Sequence, residues 1–468
     1  MVRQTIEVST EEARRQTQII EILSQRIKGK GLTFCLSTFG CQMNARDSEK
    51  IKGMLEQIGY IETEDEKNAD FVLYNTCCIR ENAETKIYGR LGELKGAKKK
   101  NPNLMVALCG CMMQEDIVLE KLKKNYPFID IIFGTYNIYK LPELLQARLE
   151  TNERIIDIWD SYKDIVEDLP DSRKYDHKAC INIMYGCDNF CTYCIVPYVR
   201  GRERSRSKED ILNEARALVA EGVTEIMLLG QNVNSYGKGL DKPATFAQLL
   251  DELSQIEGLR RIRFMTPHPK DFGDDVIDVI AKHPNICNNI HLPVQSGSSK
   301  VLKAMNRNYT KEQYLNLVDK LKAKIPGVTL TTDIIVGFPG ETDEDVEDTL
   351  DVVEKVGYSS AFTFIYSKRE GTPAAKREEI PAEITKERFN RVLELVNKKA
   401  AEALAQYQDK RVEVLFEEIS KNNKNVLSGR TDTGILVNVE APENMIGKYA
   451  TVTIIECKSH YLVGRMED

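Results

Sequence analysis

The sequence predicts an α/β protein with an N-terminal doubly wound parallel sheet, a central open (β/α)6 barrel and a small C-terminal β-barrel. Apolar runs alternate with helical patterns in two successive blocks, which is typical of parallel sheets. Short strands without helices replace that alternation near Asp409. A chain of 468 residues has room for about three domains. The predicted boundaries are an N-terminal extension 1–30, a first domain 31–148, a connector 149–176, a barrel domain 177–403 and a last domain 404–468.

Composition limits where the protein works and what it binds. No run of about 18 apolar residues is present, so we expect no membrane span. The N-terminus is charged and lacks the apolar segment of a secretory signal. Twelve cysteines then indicate a reducing, cytoplasmic compartment, where clustered thiols bind metal more often than they form disulfides. The net charge of −7 means that any RNA contact must come from local basic patches.

The first domain is predicted from strand–helix alternation. Its helix Asn44–Ile58 carries apolar residues at helical spacing, and Asn44 is predicted to be its N-cap. Thr10–Ile27 predicts an amphipathic helix with no assigned role. Ligands of such sheets bind beyond the carboxyl ends of the strands. The predicted strands are Leu32–Ser37, Phe71–Tyr74, Leu104–Leu108 and Ile129–Phe133.

Cysteines follow the carboxyl ends of three of these strands. They are Cys41, the pair Cys77 and Cys78, and the pair Cys109 and Cys111. Cys41, Cys77 and Cys111 are 36 and then 34 residues apart, about one strand–helix–strand repeat each. Three thiols on one edge of a sheet can converge on one metal centre, although buried cysteines of a core are the alternative. Spacing does not choose within either pair.

Six strand–helix units are predicted after a connector rich in acidic residues. Ser207 and Thr342 each precede a helix with an acid three residues later, which is typical of helix N-caps. Six units are two short of a closed eight-stranded barrel, so we expect an open barrel with its active site at the carboxyl ends of the strands. The predicted strands are Ala179–Met184, Thr224–Leu229, Arg261–Met265, Asn289–Leu292, Val328–Ile335 and Ala361–Ser367.

Cys187, Cys191 and Cys194 lie within eight residues, directly after the first barrel strand. Thiolates are soft ligands that suit iron–sulfur clusters and zinc. A closed site needs four ligands, but no cysteine follows until Cys287, and Cys180 lies within the strand. Three thiols on a four-iron cluster leave one iron open, as catalysis requires. A zinc knuckle, a ferredoxin-type cluster and buried thiols are the alternatives, and the ligand count disfavours each.

Other loops at the same edge of the barrel are polar or rich in glycine. The candidate cofactor-binding residues are Gly230 and Gln231 after the second strand, Ser296 after the fourth and Gly337 after the fifth. Glycine lets the backbone approach a ligand closely. Each loop by itself is equally consistent with an ordinary turn.

A basic run follows the three-cysteine loop, with five basic residues and one acid between Arg200 and Lys208. Forked guanidinium groups suit phosphates and base edges, so Arg200, Arg202, Arg204 and Arg206 are candidate RNA-binding residues. One of them could instead meet a cofactor carboxylate or the cluster. A solvated run of charges is the alternative.

The last domain is predicted to be a small β-barrel of a type that often binds single-stranded RNA. From Ala401 onward it carries eight Lys or Arg against eleven Asp or Glu, which does not support strong nonspecific RNA binding. A structural cap or an oligomer contact is the alternative. The predicted strands are Val412–Phe416, Val426–Ser428, Ile435–Val439 and Ala450–Ile455.

Eight motifs distributed along the chain resemble those of the methylthiotransferase family of radical S-adenosylmethionine (SAM) enzymes. That family combines an N-terminal cluster domain, a radical SAM barrel and a C-terminal TRAM domain, and the resemblance covers nearly all of Gly31 to Glu467. The last motif and the GRERSR segment are most similar to those of members that make 2-methylthio-isopentenyladenosine in tRNA. The motifs are TFGCQMN at Thr38, NTCCIRE at Asn75, CGCMMQ at Cys109, YGCDNFCTYCIVPYVRGRERSR at Tyr185, LPVQSGS at Leu292, VLKAMNRNYT at Val301, DIIVGFPGET at Asp333 and YSKREGTPAA at Tyr366.

The resemblance implies two 4Fe-4S clusters and SAM as cofactors. It also implies that Tyr193, the aromatic residue before the last cysteine of the loop, belongs to the SAM site with Gly230. One SAM would donate a methyl group, and a second would give the 5′-deoxyadenosyl radical that removes hydrogen from an adenine carbon. The implied ligands are Cys41, Cys77 and Cys111 for an auxiliary cluster, and Cys187, Cys191 and Cys194 for the cluster that binds SAM.

The implied substrate is N6-isopentenyladenosine at position 37, in the anticodon stem-loop of tRNA. Further implied partners are an electron donor of the flavodoxin or ferredoxin type and a sulfur source or cluster-assembly machinery. We expect a monomer that contacts no membrane. The alternatives are a family member acting on threonylcarbamoyladenosine in tRNA or on an aspartate of a ribosomal protein, and a non-enzymatic iron–sulfur RNA-binding protein.

Overall fold

The computed structural model describes residues 10–78, 81–159, 167 and 169–467. The chain divides into two compact units. The first consists of Met1–Lys174, Tyr185–Asp188 and Cys194–Arg206, and the second of Tyr175–Met184, Asn189–Tyr193 and Ser207–Asp468. Part of the predicted extension (1–9), part of the acidic connector (160–166 and 168) and two residues of the NTCCIRE motif (79 and 80) lie outside the described residues.

Helices and strands alternate through most of the chain. No described helix is long and apolar enough to cross a membrane. The helices are α1 Thr10–Ile27, α2 Gln42–Ile58, α3 Glu81–Lys100, α4 Asp116–Asn125, α5 Leu141–Thr151, α6 Val196–Val199, α7 Lys208–Ala220, α8 Phe246–Leu253, α9 Asp274–Lys282, α10 Ser299–Ala304, α11 Lys311–Lys324, α12 Asp343–Val356 and α13 Ala382–Ala405. The strands are β1 Thr33–Thr38, β2 Ile61–Glu62, β3 Phe71–Thr76, β4 Met105–Gly110, β5 Ile131–Phe133, β6 Ile155–Asp157, β7 Lys178–Asn182, β8 Met184–Tyr185, β9 Arg204–Ser205, β10 Glu225–Leu229, β11 Arg261–Phe264, β12 Asn289–His291, β13 Thr329–Val336, β14 Ser360–Ile365, β15 Arg411–Ser420, β16 Asn423–Thr431, β17 Leu436–Glu440, β18 Tyr449–Cys457 and β19 Leu462–Met466.

The first unit contains a six-stranded parallel sheet in the order β2-β1-β3-β4-β5-β6. The predicted parallel sheet is therefore confirmed, with two short edge strands more than the four that were predicted. The sheet extends beyond residue 148, the predicted end of the first domain, because β6 pairs with β5. Helix α5 also continues past this boundary, to Thr151. Helix α1 also belongs to this domain, since Ile20, Leu23 and Ile27 lie in the same apolar core as Leu144.

The predicted N-cap of α2 is wrong. The helix begins at Gln42 with Cys41 in the N-cap position. Asn44 instead lies buried in its first turn, where its amide donates hydrogen bonds to the carbonyl oxygens of Phe39 (3.1 Å) and Thr76 (2.9 Å). Asn44 thus connects the loops that follow β1 and β3, and tertiary contacts override its preference for a helix cap.

The second unit contains the six predicted barrel strands, in two parallel sheets ordered β11-β10-β7 and β12-β13-β14. A single parallel bridge between Ile262 and Ile286 lies at the edge of the first of these sheets. Ser207 and Thr342 cap α7 and α12 as predicted, each accepting a hydrogen bond from the backbone three residues later. The open barrel prediction is confirmed.

The last domain is a closed barrel in the order β15-β16-β17-β19-β18. It has one strand more than predicted, β19, which pairs parallel to β17 and closes the barrel. This barrel contacts β11: Arg261, the first residue of that strand, donates to the carbonyl oxygen of Arg430 (2.9 Å), and Arg263 donates to those of Thr431 (2.7 Å) and Asp432 (2.9 Å).

Candidate active site

Two strand-end cysteines of the first unit, Cys41 and Cys111, lie beside the side chain of Asn44, and Cys77 lies close to Gly40. Asn44 Oδ1 is 3.7 Å from Cys41 Sγ and 3.8 Å from Cys111 Sγ. Cys77 lies against the turn before Cys41, because a Cβ placed on Gly40 would be 2.9 Å from Cys77 Cβ. Gly40 also has a φ of +141°, so both its conformation and this close approach favour glycine.

Cys111 is surrounded by hydrogen-bond donors. Arg200 Nε lies 3.1 Å from its sulfur, and the Arg200 guanidinium also contacts Asn44 Oδ1 (2.8 Å) and Asp47 (3.1 Å). A hydrogen bond from Cys78, together with the Arg200 charge, outweighs burial and lowers the pKa of the Cys111 thiol to about 6. The same hydrogen bond and burial raise the pKa of Cys78 well above its usual value. The surroundings of Cys111 therefore favour a thiolate, which is the metal-binding form.

The two cysteines of CGC lie in different cores. Cys109 packs with the residues of one core, which includes Phe71 and Ile131, and burial raises its pKa well above the usual value. Cys111 belongs to the other core, together with Cys78. This separates Cys109 from the thiols near Asn44, but it leaves both Cys77 and Cys78 close to the site.

The donor set at Asn44 suits an iron–sulfur cluster. Three thiols follow the carboxyl ends of three parallel strands, one of them exposed (Cys41) and two buried (Cys77 and Cys111). Soft sulfur donors select iron–sulfur clusters and zinc over hard cations. Among the described residues, no group of three or more Cys, His, Asp or Glu side chains lies close enough together to hold a metal ion.

The three-cysteine loop is shared between the two units. Cys187 and Cys194 belong to the first and Cys191 to the second. In the first unit, the Cys187 amide donates to the carbonyl of Gly201 (3.1 Å). Ile195 and Val199, which follow the loop, lie in the same apolar core as Cys111. The segment directly after Cys194 therefore packs in the first unit, beside Cys111.

In the second unit, Arg307 faces Cys191. Its Nη1 lies 3.9 Å from Cys191 Sγ and 3.5 Å from the hydroxyl of Tyr193, while Nη2 donates to the carbonyl of Pro293 (2.6 Å). Arg307 is only 5% exposed. Arg307 thus places a buried guanidinium beside Cys191, as Arg200 does beside Cys111.

Backbone hydrogen bonds hold the loop in place around Cys191. Thr192 donates from its amide to Met305 (2.9 Å) and accepts from the amide of Ala374 (2.8 Å). Asn306 donates to the carbonyl oxygens of Asn189 (3.0 Å) and Phe190 (3.1 Å). The motifs VLKAMNRNYT and YSKREGTPAA therefore position the cysteine loop. Their residues were not predicted as site residues, although the motifs themselves were visible.

Close packing explains why glycine occupies two of the candidate SAM-binding positions, Gly230 and Gly337. A Cβ on Gly230 would lie 2.5 Å from Met184 Cγ. Gly337 has a φ of +80°, and a Cβ there would lie 2.4 Å from Thr385 Cγ2. Ser296 is buried and accepts from the amide of Ser298 (3.2 Å). All three lie in loops after the predicted strands, as Gln231 does, and their contact with SAM remains a prediction.

Glu341 follows Gly337 in the same loop and was not predicted as a site residue. It accepts the Gly337 amide at 2.9 Å and lies 3.7 Å from Arg388. Burial raises the pKa of Glu341 to about 7, although the Gly337 hydrogen bond and Arg388 oppose the shift.

The four arginines of the basic run have different surroundings. Arg200 is buried beside Cys111, and Arg206 is buried near Glu167. Burial would raise the pKa of Glu167, but Lys50 and Arg206 hold it at about 2. Arg204 is half-buried and Arg202 is exposed. Only Arg202 and Arg204 are thus accessible to an RNA backbone, because the other two serve the interior of the first unit.

Three family models match three successive segments of the chain. Residues 181–353 match the Radical SAM superfamily, which places the central barrel and its three-cysteine loop in that class. Residues 33–134 match Uncharacterized protein family UPF0004, and residues 405–466 match the TRAM domain. Each matched segment lies within one of the three predicted domains, whose boundaries stay a prediction.

Similar proteins define the family further. A tRNA-2-methylthio-N(6)-dimethylallyladenosine synthase of Lachnoclostridium phytofermentans is 58% identical over 94% of this chain and 96% of its own length. A protein of the same name from Alkaliphilus oremlandii is 53% identical over 99% of both chains. The chain belongs to the family of tRNA-2-methylthio-N(6)-dimethylallyladenosine synthases, which are radical SAM methylthiotransferases.

A solved structure shares the fold at low sequence identity. The radical S-adenosylmethionine methyltransferase TsrM of Kitasatospora setae with bound cobalamin and a [4Fe-4S] cluster aligns with a TM-score of 0.52. The alignment covers 74% of this chain and 77% of that one, at 16% identity. This similarity supports the fold of the chain alone.

Proposed function

We propose that this protein adds a methylthio group to carbon 2 of N6-isopentenyladenosine at position 37 of tRNA, beside the anticodon. The observation that carries the proposal is the family membership over nearly the whole chain, together with the placement of two strand-end thiols, Cys41 and Cys111, beside Asn44. The TRAM domain is consistent with an RNA substrate. With tRNA as the substrate, the proposed location is the cytoplasm.

The proposed cofactors are SAM and two 4Fe-4S clusters, one held by Cys187, Cys191 and Cys194, the other by Cys41, Cys77 and Cys111. Radical SAM chemistry supplies a carbon radical able to remove hydrogen from an unactivated carbon, and the auxiliary centre is the proposed source of sulfur. An electron donor and a sulfur source are the proposed further partners.

In this proposal, the chain holds the cofactors in place and keeps the cysteine ligands in the form that binds iron. Arg200 and Arg307 each place a buried guanidinium beside a candidate cysteine ligand. At Cys111 the Arg200 charge helps to lower the pKa of the thiol, which favours the thiolate needed for binding iron. Hydrogen bonds from Thr192 and Asn306 fix the backbone around Cys191. Buried surroundings at Cys77 and Cys111 limit access of water to these two proposed ligands, whereas Cys41 is exposed.

Two cysteine substitutions test the division of labour. Reconstituted Cys191→Ala protein is expected to lose reductive cleavage of SAM. Cys77→Ala is expected to keep SAM cleavage and to form no methylthio product on prenylated tRNA. Cys109→Ala serves as the control, because Cys109 packs in the other core and should retain both activities. Methylthio product from the Cys77 variant would contradict the assignment of two clusters with separate tasks.

The substrate is tested in cells. Mass spectrometry of tRNA nucleosides from a strain lacking this gene should show unmethylthiolated N6-isopentenyladenosine, which a plasmid copy converts. Loss of methylthiolation at threonylcarbamoyladenosine, or at a ribosomal-protein aspartate, would instead assign the chain one of the other substrates of methylthiotransferases. An unchanged pattern of all three would refute the proposal.

A further inference from the structure

Large exposed apolar side chains are concentrated on one strand of the second unit. Phe362 (56% exposed), Phe364 (40%) and Ile365 (46%) all lie on β14. Elsewhere in the described chain such residues stand singly, as Ile455 (48%) does on β18. Single exposed apolar residues are ordinary, but a contiguous apolar surface marks a binding site, and residues 362 and 364 lie on the same side of the strand.

Phe362 and Phe364 share the concave face of the barrel. They are paired in register with Asp333 and Ile335 of β13, and alternate residues of a strand point to the same side. The intervening β13 residue, Ile334, lies in the core of the second unit on the other side of the strand. The two phenylalanines therefore face away from that core, Phe362 in the middle of β14 and Phe364 near its carboxyl end, where barrel enzymes bind their substrates.

This phenylalanine face continues into the surroundings of the cysteine loop. Ile335, the partner of Phe364, packs against a group of buried residues that includes Met305 and Tyr366. Tyr193 of the cysteine loop packs against the same group. Ile335, beside Phe364 in the sheet, and Tyr193, in the loop that carries Cys191, thus pack against the same buried group.

The other end of the face is polar. His291 lies beside Phe362, with the ring centroids 6.4 Å apart in an edge-on arrangement. Its Nε2 is 3.4 Å from Asp333 Oδ2, and its Nδ1 is 3.0 Å from Thr331 Oγ1. An apolar surface bordered by a carboxylate suits a ligand that carries a hydrocarbon chain next to a hydrogen-bond donor.

We propose that Phe362 and Phe364 receive the N6-isopentenyl chain of the substrate adenosine, with Asp333 accepting from the N6–H group. This assignment rests on the proposed function. A branched five-carbon chain attached to an N–H donor matches the chemistry of this face. Covering two exposed rings removes apolar area from water, which stabilises the prenylated substrate over the same RNA without the chain.

The test compares two anticodon stem-loop RNAs that differ only in the isopentenyl group at position 37. Dissociation constants are measured by fluorescence anisotropy with the reconstituted full-length protein. We expect the wild type to bind the prenylated RNA about tenfold more tightly. The double variant Phe362→Ala/Phe364→Ala is expected to bind both RNAs within about twofold of each other, and to bind the unprenylated RNA as the wild type does.

Ile455→Ala is the matched control, because it removes an equally exposed apolar side chain of the same unit and should leave the tenfold preference unchanged. Both phenylalanines are exposed, so thermal unfolding of the double variant should match that of the wild type. A double variant that keeps the preference would overturn the inference. The inference would also be overturned if the double variant bound both RNAs equally more weakly than the wild type does. A wild type that binds the two RNAs equally well would overturn it too, as would a double variant with a changed oligomeric state and an unchanged preference for the prenylated RNA.

Product analysis on the same samples separates the inference from the proposed function. If the wild type methylthiolates the prenylated RNA while the double variant retains its preference, only the phenylalanine assignment is refuted. If the wild type forms no methylthio product on that RNA, the proposed function itself is refuted.

Discussion

Arg200 shows how one buried charge can organise a candidate metal site. Its guanidinium contacts Cys111, Asn44 and Asp47, and both it and Asp47 are almost fully buried. A buried ion pair is poor evidence of net stabilisation, but removal of one partner leaves an uncompensated charge in the interior. Arg200 therefore has both a structural role, pairing with Asp47, and an electrostatic role at Cys111.

Replacement of Arg200 should reveal the structural role. Arg200→Met is expected to lower the free energy of unfolding of the cluster-free protein by about 3 kcal/mol, because Asp47 loses its partner. Arg202→Met is the control: its side chain is 72% exposed and pairs with Asp188 at 3.5 Å, so a change within about 0.5 kcal/mol is expected. Urea unfolding followed by circular dichroism measures both, and equal losses would contradict the buried pairing.

Glu341 predicts a pH dependence of stability. Its pKa in the folded protein is about 7, above the usual 4.5. As the pH rises, this carboxyl group therefore ionises in the unfolded chain at a lower pH than in the folded protein. The free energy of unfolding of the wild type falls as the pH rises from about 4.5 through about 7. Glu341→Gln should gain stability relative to the wild type over that range, by up to about 3 kcal/mol at pH 8. Thermal unfolding midpoints at pH 5 and pH 8 measure the gain.

Glu344→Gln provides the comparison for that experiment. Glu344 is an exposed carboxyl group on α12, in the segment that follows Glu341. Its pKa lies below the usual value because of hydrogen bonds at the helix start. The stability difference between Glu344→Gln and the wild type should therefore stay constant between pH 6 and pH 8. A similar pH-dependent gain in both variants would rule out Glu341 as the titrating group.

At the scale of elements, helix α1 is part of the first domain rather than an appendage. Leu23 is fully buried in the core of the first unit, and Arg15 pairs with Glu143 of α5 at 2.7 Å. The exposed and buried residues of α1 follow a helical period, which the sequence showed. The sequence did not show which surface the apolar side would cover.

The packing of α1 is tested by two adjacent residues. Leu23→Ala is expected to destabilise the first unit by about 2–5 kcal/mol, because it leaves a cavity in a closed core. Ile22→Ala should change stability by less than about 0.5 kcal/mol, since Ile22 is 46% exposed. Urea unfolding of the full chain distinguishes the two, and a small loss for Leu23→Ala would mean that α1 is not docked.

At the scale of the whole molecule, the C-terminal barrel is packed onto the central strands by buried charges. Glu225, at the start of β10, pairs with Arg263 at 3.1 Å, and Arg263 also donates to two carbonyl oxygens of the C-terminal barrel. Burial would raise the pKa of Glu225, but Arg263, Lys178 and Arg261 lower it. This side of the acidic barrel therefore acts as a cap on the strands, which the sequence left as an alternative to RNA binding.

Removal of Arg263 should loosen that cap. Arg263→Met is expected to cost about 3–5 kcal/mol, because Glu225 stays buried without its closest partner. Arg260→Met is the control, since Arg260 pairs with Glu413 at 2.8 Å but both side chains are about half exposed. Protease cleavage between Ala405 and Arg411, followed by mass spectrometry, should be faster only in the Arg263 variant. Equal cleavage of the two variants would contradict the proposed cap.

Local patterns in the sequence determined the three domains, the strands that carry the cysteines and the three-cysteine loop, because periodicity and turn residues encode neighbouring structure. They did not show that Arg200 reaches Cys111 across 89 residues, or that Arg307 reaches Cys191 across 116. They also did not show that Asn44 lies between two cysteines, or that Phe362 and Phe364 stay uncovered on the concave face. Only the tertiary structure decided these points, because such contacts depend on strand order and packing between segments that are distant in the chain.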